Sequence, residues 1–365
     1  MGIALWVTVG IAILALAGFV YQGVAEWLDR HRYTRVGRHV TLADGCRLYL
    51  REEGSGKPTV IFEAGIGASS LNWAPVQAAI ARETATLAYD RAGLGWSDPC
   101  RTERTPSNVA AELNEMLQRA KVKPPFVLVG HSFGGLVVRR YALLYPENVA
   151  GLVLLDPMRC DEWPPFVPER TRQLAIAKGL CRSAIPCARC GLSRIGLSSL
   201  FLGSGRVAER LARIAGKNCE HVLRRVRSEV TKMPAEARPV IVALWSKPSF
   251  YRGMWAYLDG IPATAREMAD APSIRGIPVT VLTPGLATPL NTKALERIGD
   301  RVRQVIAAKS EHWIHLDEPE LVIDAIREMV SEASDACRAG SASGKLNRDC
   351  TAALEKPAPG TPCGA

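Results

Sequence analysis

The hydrophobic pattern opens on one long apolar stretch. From Met1 to Ala25 no side chain is charged, and Ile3 to Val20 is almost wholly apolar, long enough to cross a hydrocarbon core as a helix of ~20 residues. Short β-type runs and helical spacings then alternate. His39 to Leu42 and Arg47 to Arg51 read as strands on either side of the turn signal Asp44-Gly45. Thr59 to Phe62, Thr84 to Tyr89, Phe126 to Val129 and Gly151 to Leu155 are compact branched and aromatic runs, as buried parallel strands require. Between them, Leu71 to Ala81 and Leu136 to Tyr145 carry helical spacing, and Thr105-Pro106 supplies an N-cap and a first-position proline for a helix to Arg119.

From Met158 to Arg275 the alternation stops, and the pattern is helical with breaks expected at Pro164-Pro165, Pro186 and Pro248. Strand character returns at Pro278 to Leu282 and Arg301 to Ala307, with helices at Thr292 to Ile298 and Pro319 to Glu332. The order predicts a parallel sheet covered by helices on both faces, with ligands bound beyond the carboxyl ends of the strands. The expected organisation is a transmembrane anchor over 1–25, a core over 26–157 and 276–333 interrupted by a helical insertion at 158–275, and a tail over 334–365. That tail is rich in Gly, Ser, Pro and Ala and reads as disordered, apart from whatever its cysteines tie down.

Charge and cysteine change the picture in two places. The net charge is +10, but the basic residues are spread along the chain without aromatic interleaving, so a nucleic-acid partner is not expected. Nothing basic precedes the apolar stretch, whereas Arg30, Arg32, Arg35 and Arg38 follow it. No charged leader resembles that of a secretory signal, so a retained anchor is expected, and the positive-inside rule would place the remainder in the cytoplasm. The 10 cysteines point the other way. Cys160, Cys181, Cys187, Cys190 and Cys219 cluster, and Cys337, Cys350 and Cys363 lie in the tail, a distribution suited to disulfides in an oxidising compartment. Cys187 and Cys190 form a Cys-x-x-Cys pair with no second pair at zinc-ribbon spacing, so neither a metal nor another cofactor is expected.

The candidate chemistry centres on Gly130-His131-Ser132-Phe133-Gly134, a Gly-x-Ser-x-Gly turn between a predicted strand and helix, which presents the serine above the sheet edge. With Tyr-Asp-Arg-Ala-Gly-Leu-Gly-Trp-Ser-Asp at Tyr89 to Asp98 and Glu-His-Trp-Ile-His-Leu-Asp-Glu-Pro at Glu311 to Pro319, the chain resembles the α/β-hydrolase family over about Gly37 to Val330. The resemblance implies a mostly parallel eight-stranded sheet with an inserted helical cap, and acyl transfer through Ser132. A serine hydroxyl needs a base within reach and a group to orient that base, and the family order is serine, acid, histidine. His312 matches the base position; His315 falls where the family is usually apolar. The acid usually follows the strand matching Val279 to Leu282, but Thr283 to Asn291 holds no carboxylate. Some relatives place it one strand earlier, which implies Asp156 here, with Asp161, Glu162 and the neutral Asn291 as less favoured candidates.

The oxyanion donors implied are the amides of Phe133 and, on the loop bearing Gly65, Ile66. Asp90, Arg91 and His131 read as supports, and Glu63 is expected to be tied to the loop backbone or to Arg91. Aromatic residues of the insertion, among them Trp163, Phe201, Trp245, Phe250 and Tyr257, either line an acyl pocket or fill the cap's own core. The expected substrate is a small-molecule or lipid-like ester. Peptidases, carbon-carbon hydrolases and acyltransferases of the fold also keep serine, and a membrane-tethered binding or signalling protein without turnover is the reading from another class.

Overall fold

The computed structural model describes residues 2–159, 163, 165–203, 205, 206, 210, 213, 227, 230–286 and 289–342. Eight strands form one sheet: β1 (Arg38–Thr41), β2 (Arg47–Glu53), β3 (Thr59–Glu63), β4 (Thr86–Tyr89), β5 (Phe126–His131), β6 (Val149–Leu155), β7 (Val279–Pro284) and β8 (Val302–Ala307). Their order is β1-β2-β4-β3-β5-β6-β7-β8. β2 is antiparallel to β1 and β4, and every other pairing is parallel. Side-chain alternation splits the core between the two sheet faces. Ile61, Leu128, Leu152 and Val281 pack on one side with α3 (Pro106–Arg119) and α4 (Phe133–Leu144). Val60, Val129, Val153 and Leu282 pack on the other with α2 (Ala74–Ile80) and α11 (Pro319–Ala342).

Between β6 and β7 the chain leaves the sheet to form α5 (Pro168–Arg189), α6 (Leu192–Phe201), α7 (Ala237–Trp245) and α8 (Pro248–Ala269). The cap is anchored through α8, whose Gly253 abuts Gly93 and whose Gly260 abuts Arg104. The Tyr257 hydroxyl on the same helix donates to Ala92 O at 3.3 Å. Beyond β7 come α9 (Thr292–Ile298) and α10 (Ile314–Asp317).

Three sequence expectations are corrected. Pro186 does not break α5; it lies in the last turn, the helix ends at Arg189, and the proline removes a single bond to the preceding turn. The 334–365 segment is not irregular from its start, because α11 continues to Ala342. Alanine is the strongest helix former, and extending an existing helix costs far less than nucleating one. The predicted helix from Leu71 to Ala81 is a 3-10 turn, Ser70–Trp73, followed by the shorter α2. Pro164 lies outside the described residues, as do Cys160, Cys219, Cys350 and Cys363.

The apolar N-terminal stretch is one helix, α1 (Gly2–Tyr33), long and apolar enough to cross a membrane. Sequence spacing gave no pairing for the cysteines, and the structure pairs Cys46 with Cys100, Cα atoms 5.6 Å apart. Cys181, Cys187 and Cys190 are unpaired thiols.

Candidate active site

Ser132 joins β5 to α4 at φ 54° and ψ −118°, a conformation that a residue with a Cβ adopts only where its surroundings compel it. Three hydrogen bonds do so. Ser132 N donates to Leu155 O, and Ser132 O accepts from Gly135 N and Met158 N, each at 3.0 Å. Space explains the flanking glycines: a Cβ on Gly130 would lie 2.6 Å from Gly134 O, and one on Gly134 would collide with Glu63 O.

Asp156 follows β6 directly, at φ 39°, with its amide bonded to Leu282 O at 2.9 Å. Its Oδ2 accepts from His312 Nδ1 at 2.6 Å, both side chains being about 30% exposed, at 30% and 29%. This contact fixes the imidazole with Nδ1 protonated and Nε2 free to accept a proton. The loop carrying His312 is shaped by two carboxylates that sequence reading overlooked. Glu318 Oε1 accepts from Lys309 N at 2.8 Å and Ser310 Oγ at 2.7 Å, and Asp317 Oδ2 accepts from Glu311 N at 3.1 Å. The acidic pair just before Pro319 was the available signal. The Ser132 hydroxyl and His312 Nε2 are not hydrogen-bonded to each other among the described contacts, and such bonds commonly tighten only when substrate is present.

His131 and His315 flank His312 without joining it at Asp156. His131 Nε2 donates to His312 O at 2.8 Å, which ties the elbow to the histidine loop. Burial, then the nearby His312 and His315 rings, holds the His131 pKa well below the ordinary imidazole value, so it is neutral at pH 7. His315 stacks on Trp73 with ring centroids 4.5 Å apart. Burial, with His312 beside it, brings its pKa down to about 3, and neither nitrogen has a hydrogen-bond partner among the described residues.

The small-residue loop after β3 passes against the elbow. A Cβ on Gly65 would sit 3.4 Å from Ser132 Cβ, so the peptide leading to Ile66 runs beside the serine. Arg91 holds this loop from beneath, donating to Ala64 O, to Gly65 O at 2.6 Å and to Glu63 at 2.6 Å. The Tyr89 hydroxyl donates to the other Glu63 oxygen. All three side chains are buried; burial pushes the Glu63 carboxyl upward, opposed by Arg91 and Tyr89. Phe133, as the first residue of α4, has an amide with no acceptor inside the helix.

Asp90 lies apart, its oxygens accepting from Ser70 N at 2.7 Å and Trp96 N at 2.8 Å. Lys247, another residue missed from sequence, reaches from the cap to Gly95 O, and burial draws its pKa down to about 8 against the pull of Asp90. Asn291 caps α9 by accepting from Ala294 N at 2.9 Å. Asp161 and Glu162 lie outside the described residues. Among the cap aromatics, Phe201 and Trp245 pack within a cap cluster, and Tyr257 stands edge-on to Phe133 at 5.6 Å. Met254 of α8 approaches Gly67 of the small-residue loop, so the cap roofs this side of the site.

A strand, a strained serine turn and a helix within a sheet of this order define an α/β-hydrolase fold. The model of the α/β-hydrolase fold family matches residues 58–177, in agreement with the fold of the sheet and its elbow. It is 41% identical over 129 residues to the uncharacterised protein YqjL of Bacillus subtilis (strain 168), a match covering 34% of this chain and 51% of that protein. An AB hydrolase superfamily protein of Gibberella zeae is 30% identical over 138 residues, or 35% of this chain and 43% of its own. The chain thus spans about half or less of the length of these relatives. Among solved structures, the epoxide hydrolase CorEH superposes with a TM-score of 0.61 at 18% identity, covering 81% of this chain and 98% of its own. Cfl2 of Burkholderia cenocepacia gives 0.62 at 23% identity, covering 80% and 95%. At these identities the superpositions speak for the fold alone.

Proposed function

We propose that the protein is a membrane-anchored serine hydrolase that cleaves a hydrophobic or lipid-like ester. The observation that carries this reading is the 2.6 Å contact between His312 Nδ1 and Asp156 Oδ2, on a loop tied through His131 to the serine elbow. In the reaction, His312 Nε2 takes the Ser132 proton as Oγ attacks the ester carbonyl. The amides of Ile66 and Phe133 hold the oxyanion, and the returned proton leaves with the alcohol. Water, deprotonated by His312, then attacks the acyl-serine; the carboxylic acid departs and Ser132 regains its proton. Asp156 keeps the imidazole oriented and stabilises it when charged.

Serine at the elbow favours acyl transfer over the epoxide chemistry named for CorEH, since relatives that open epoxides use aspartate there. Asp156 also supplies the carboxylate whose absence after β7 would favour a binding protein without turnover. A chain length series of p-nitrophenyl esters tests the substrate class. The account expects turnover to rise from acetate toward medium acyl chains and to vanish in Ser132→Ala; hydrolysis by that variant at the wild-type rate would refute the assignment.

For location, α1 supports a retained membrane span, and the Cys46–Cys100 disulfide supports an oxidising compartment for the enzyme domain, against the charge bias around the span.

A further inference from the structure

The last turn of the apolar stretch of α1 and the part beyond it are docked on the cap, the latter by a built polar contact. Gly18, Gln22 and Asp29 recur at helical spacing on one face. Any side chain at Gly18 would collide with Cys190 O. Gln22, 3% exposed, donates to Ser246 O at 3.1 Å and accepts from Arg194 Nε at 3.1 Å. The same Arg194, 7% exposed, pairs with Asp29 at 2.7 Å. Loss of α1 would strip a buried guanidinium of both partners, a costly outcome. Gly191 in turn packs on the Tyr21 ring, so the corner between α5 and α6 is fixed within one helical turn of Val20, where the apolar stretch ends.

That corner presents apolar side chains to its surroundings. Leu192 is 59% exposed and Ile195 58% exposed, on either side of the Arg194 that locks onto α1. The free face of α1 continues the same character, with Val24 54% and Trp27 60% exposed. Arg189, exposed in the last turn of α5, adds a cation beside them. Apolar side chains with a basic and aromatic fringe, at the level where a span ends, match the layering of a bilayer interface.

We propose that the α5–α6 corner of the cap is a lipid-contacting surface, seated in the leaflet interface in which the α1 span ends. This rests on the reading of α1 as a retained span, and deepens the proposed function by placing the cap where an ester dissolved in that leaflet reaches the enzyme.

The test uses the full chain in vesicles of phosphatidylcholine and phosphatidylglycerol. The photoreactive amino acid benzoylphenylalanine is placed at Leu192, at Ile11 within the span, and at the exposed Glu320 of α11, and adducts are read by mass after irradiation. Phospholipid adducts at Leu192 and Ile11 but not at Glu320 are expected. An adduct at Ile11 with none at Leu192, or a protein-protein adduct at Leu192, overturns the cap contact while leaving the anchor standing. No lipid adduct at Ile11 overturns the anchor and the present proposal together. A second variant, Leu192→Glu with Ile195→Glu, should leave turnover of a water-soluble ester unchanged and lower that of a vesicle-embedded ester by at least about tenfold, the minimum expected when two aliphatic side chains lose an apolar medium. A rate on the vesicle-embedded ester undiminished from the wild type overturns the proposal.

Discussion

His315 gives the sharpest stability prediction. It is 1% exposed, stacked on Trp73 at 4.5 Å and faced by His131 at 4.8 Å and Trp313 at 5.6 Å, with His312 beside it. Its folded pKa of about 3 lies below the ordinary value near 6.5. Between those values the unfolded chain binds a proton that the folded chain does not, so stability is present above about pH 6.5 and is lost as pH falls toward about 3. From pH 7 to pH 5 the linkage amounts to about 2 kcal/mol for one such histidine. His131, shifted in the same direction, contributes a loss of the same sign. Replacing His315 by leucine removes one of the two proton sites and two buried nitrogens without partners among the described residues, at similar volume. Guanidinium unfolding of the full chain in detergent, followed by tryptophan fluorescence at pH 7 and pH 5, measures the effect. His315→Leu should match or exceed the wild type at pH 7 and lose about 2 kcal/mol less on acidification. An acid loss identical to the wild type would refute the reasoning.

Other predictions concern single contacts. Asp156→Asn should lower kcat by about 10³–10⁴-fold through loss of imidazole orientation while leaving the unfolding temperature in place; unchanged kcat moves the acid elsewhere. Arg91→Met leaves the Glu63 carboxylate and the Ala64 and Gly65 carbonyls without their buried donor, and should cost about 3–5 kcal/mol of stability; a loss under about 1 kcal/mol would show that the loop does not depend on it. Replacing Cys46 and Cys100 together by serine opens a link spanning a sequence separation of 54 and should lower stability by about 2–4 kcal/mol. A midpoint equal to the wild type under non-reducing conditions would mean that the bond does not form.

The sheet was readable because its central strands carry compact apolar runs, Phe126–Val129 in β5 and Gly151–Leu155 in β6, and α3 was readable because Thr105 caps it by a local hydrogen bond. The contact between His312 and Asp156 spans a sequence separation of 156, so only the family pattern pointed to it. What sequence left hidden depends on three-dimensional neighbours with no local trace. Lys247 lies on the cap yet bonds Gly95, the Cys46–Cys100 pairing joins two loops, and Arg194 finds Gln22 and Asp29 on a distant helix. The helical extension to Ala342 was obscured by small residues, which suit a solvated helix end and an irregular tail equally well.

The central claim is that Ser132 is a nucleophile activated by His312 and Asp156. A fluorophosphonate probe on the full-length protein, followed by mass analysis of the modified peptide, tests it most directly. One phosphonyl group on Ser132 is predicted, with labelling abolished in Ser132→Ala and strongly slowed in His312→Ala; a folded wild-type protein that remains unlabelled, or that is labelled elsewhere, would contradict the account.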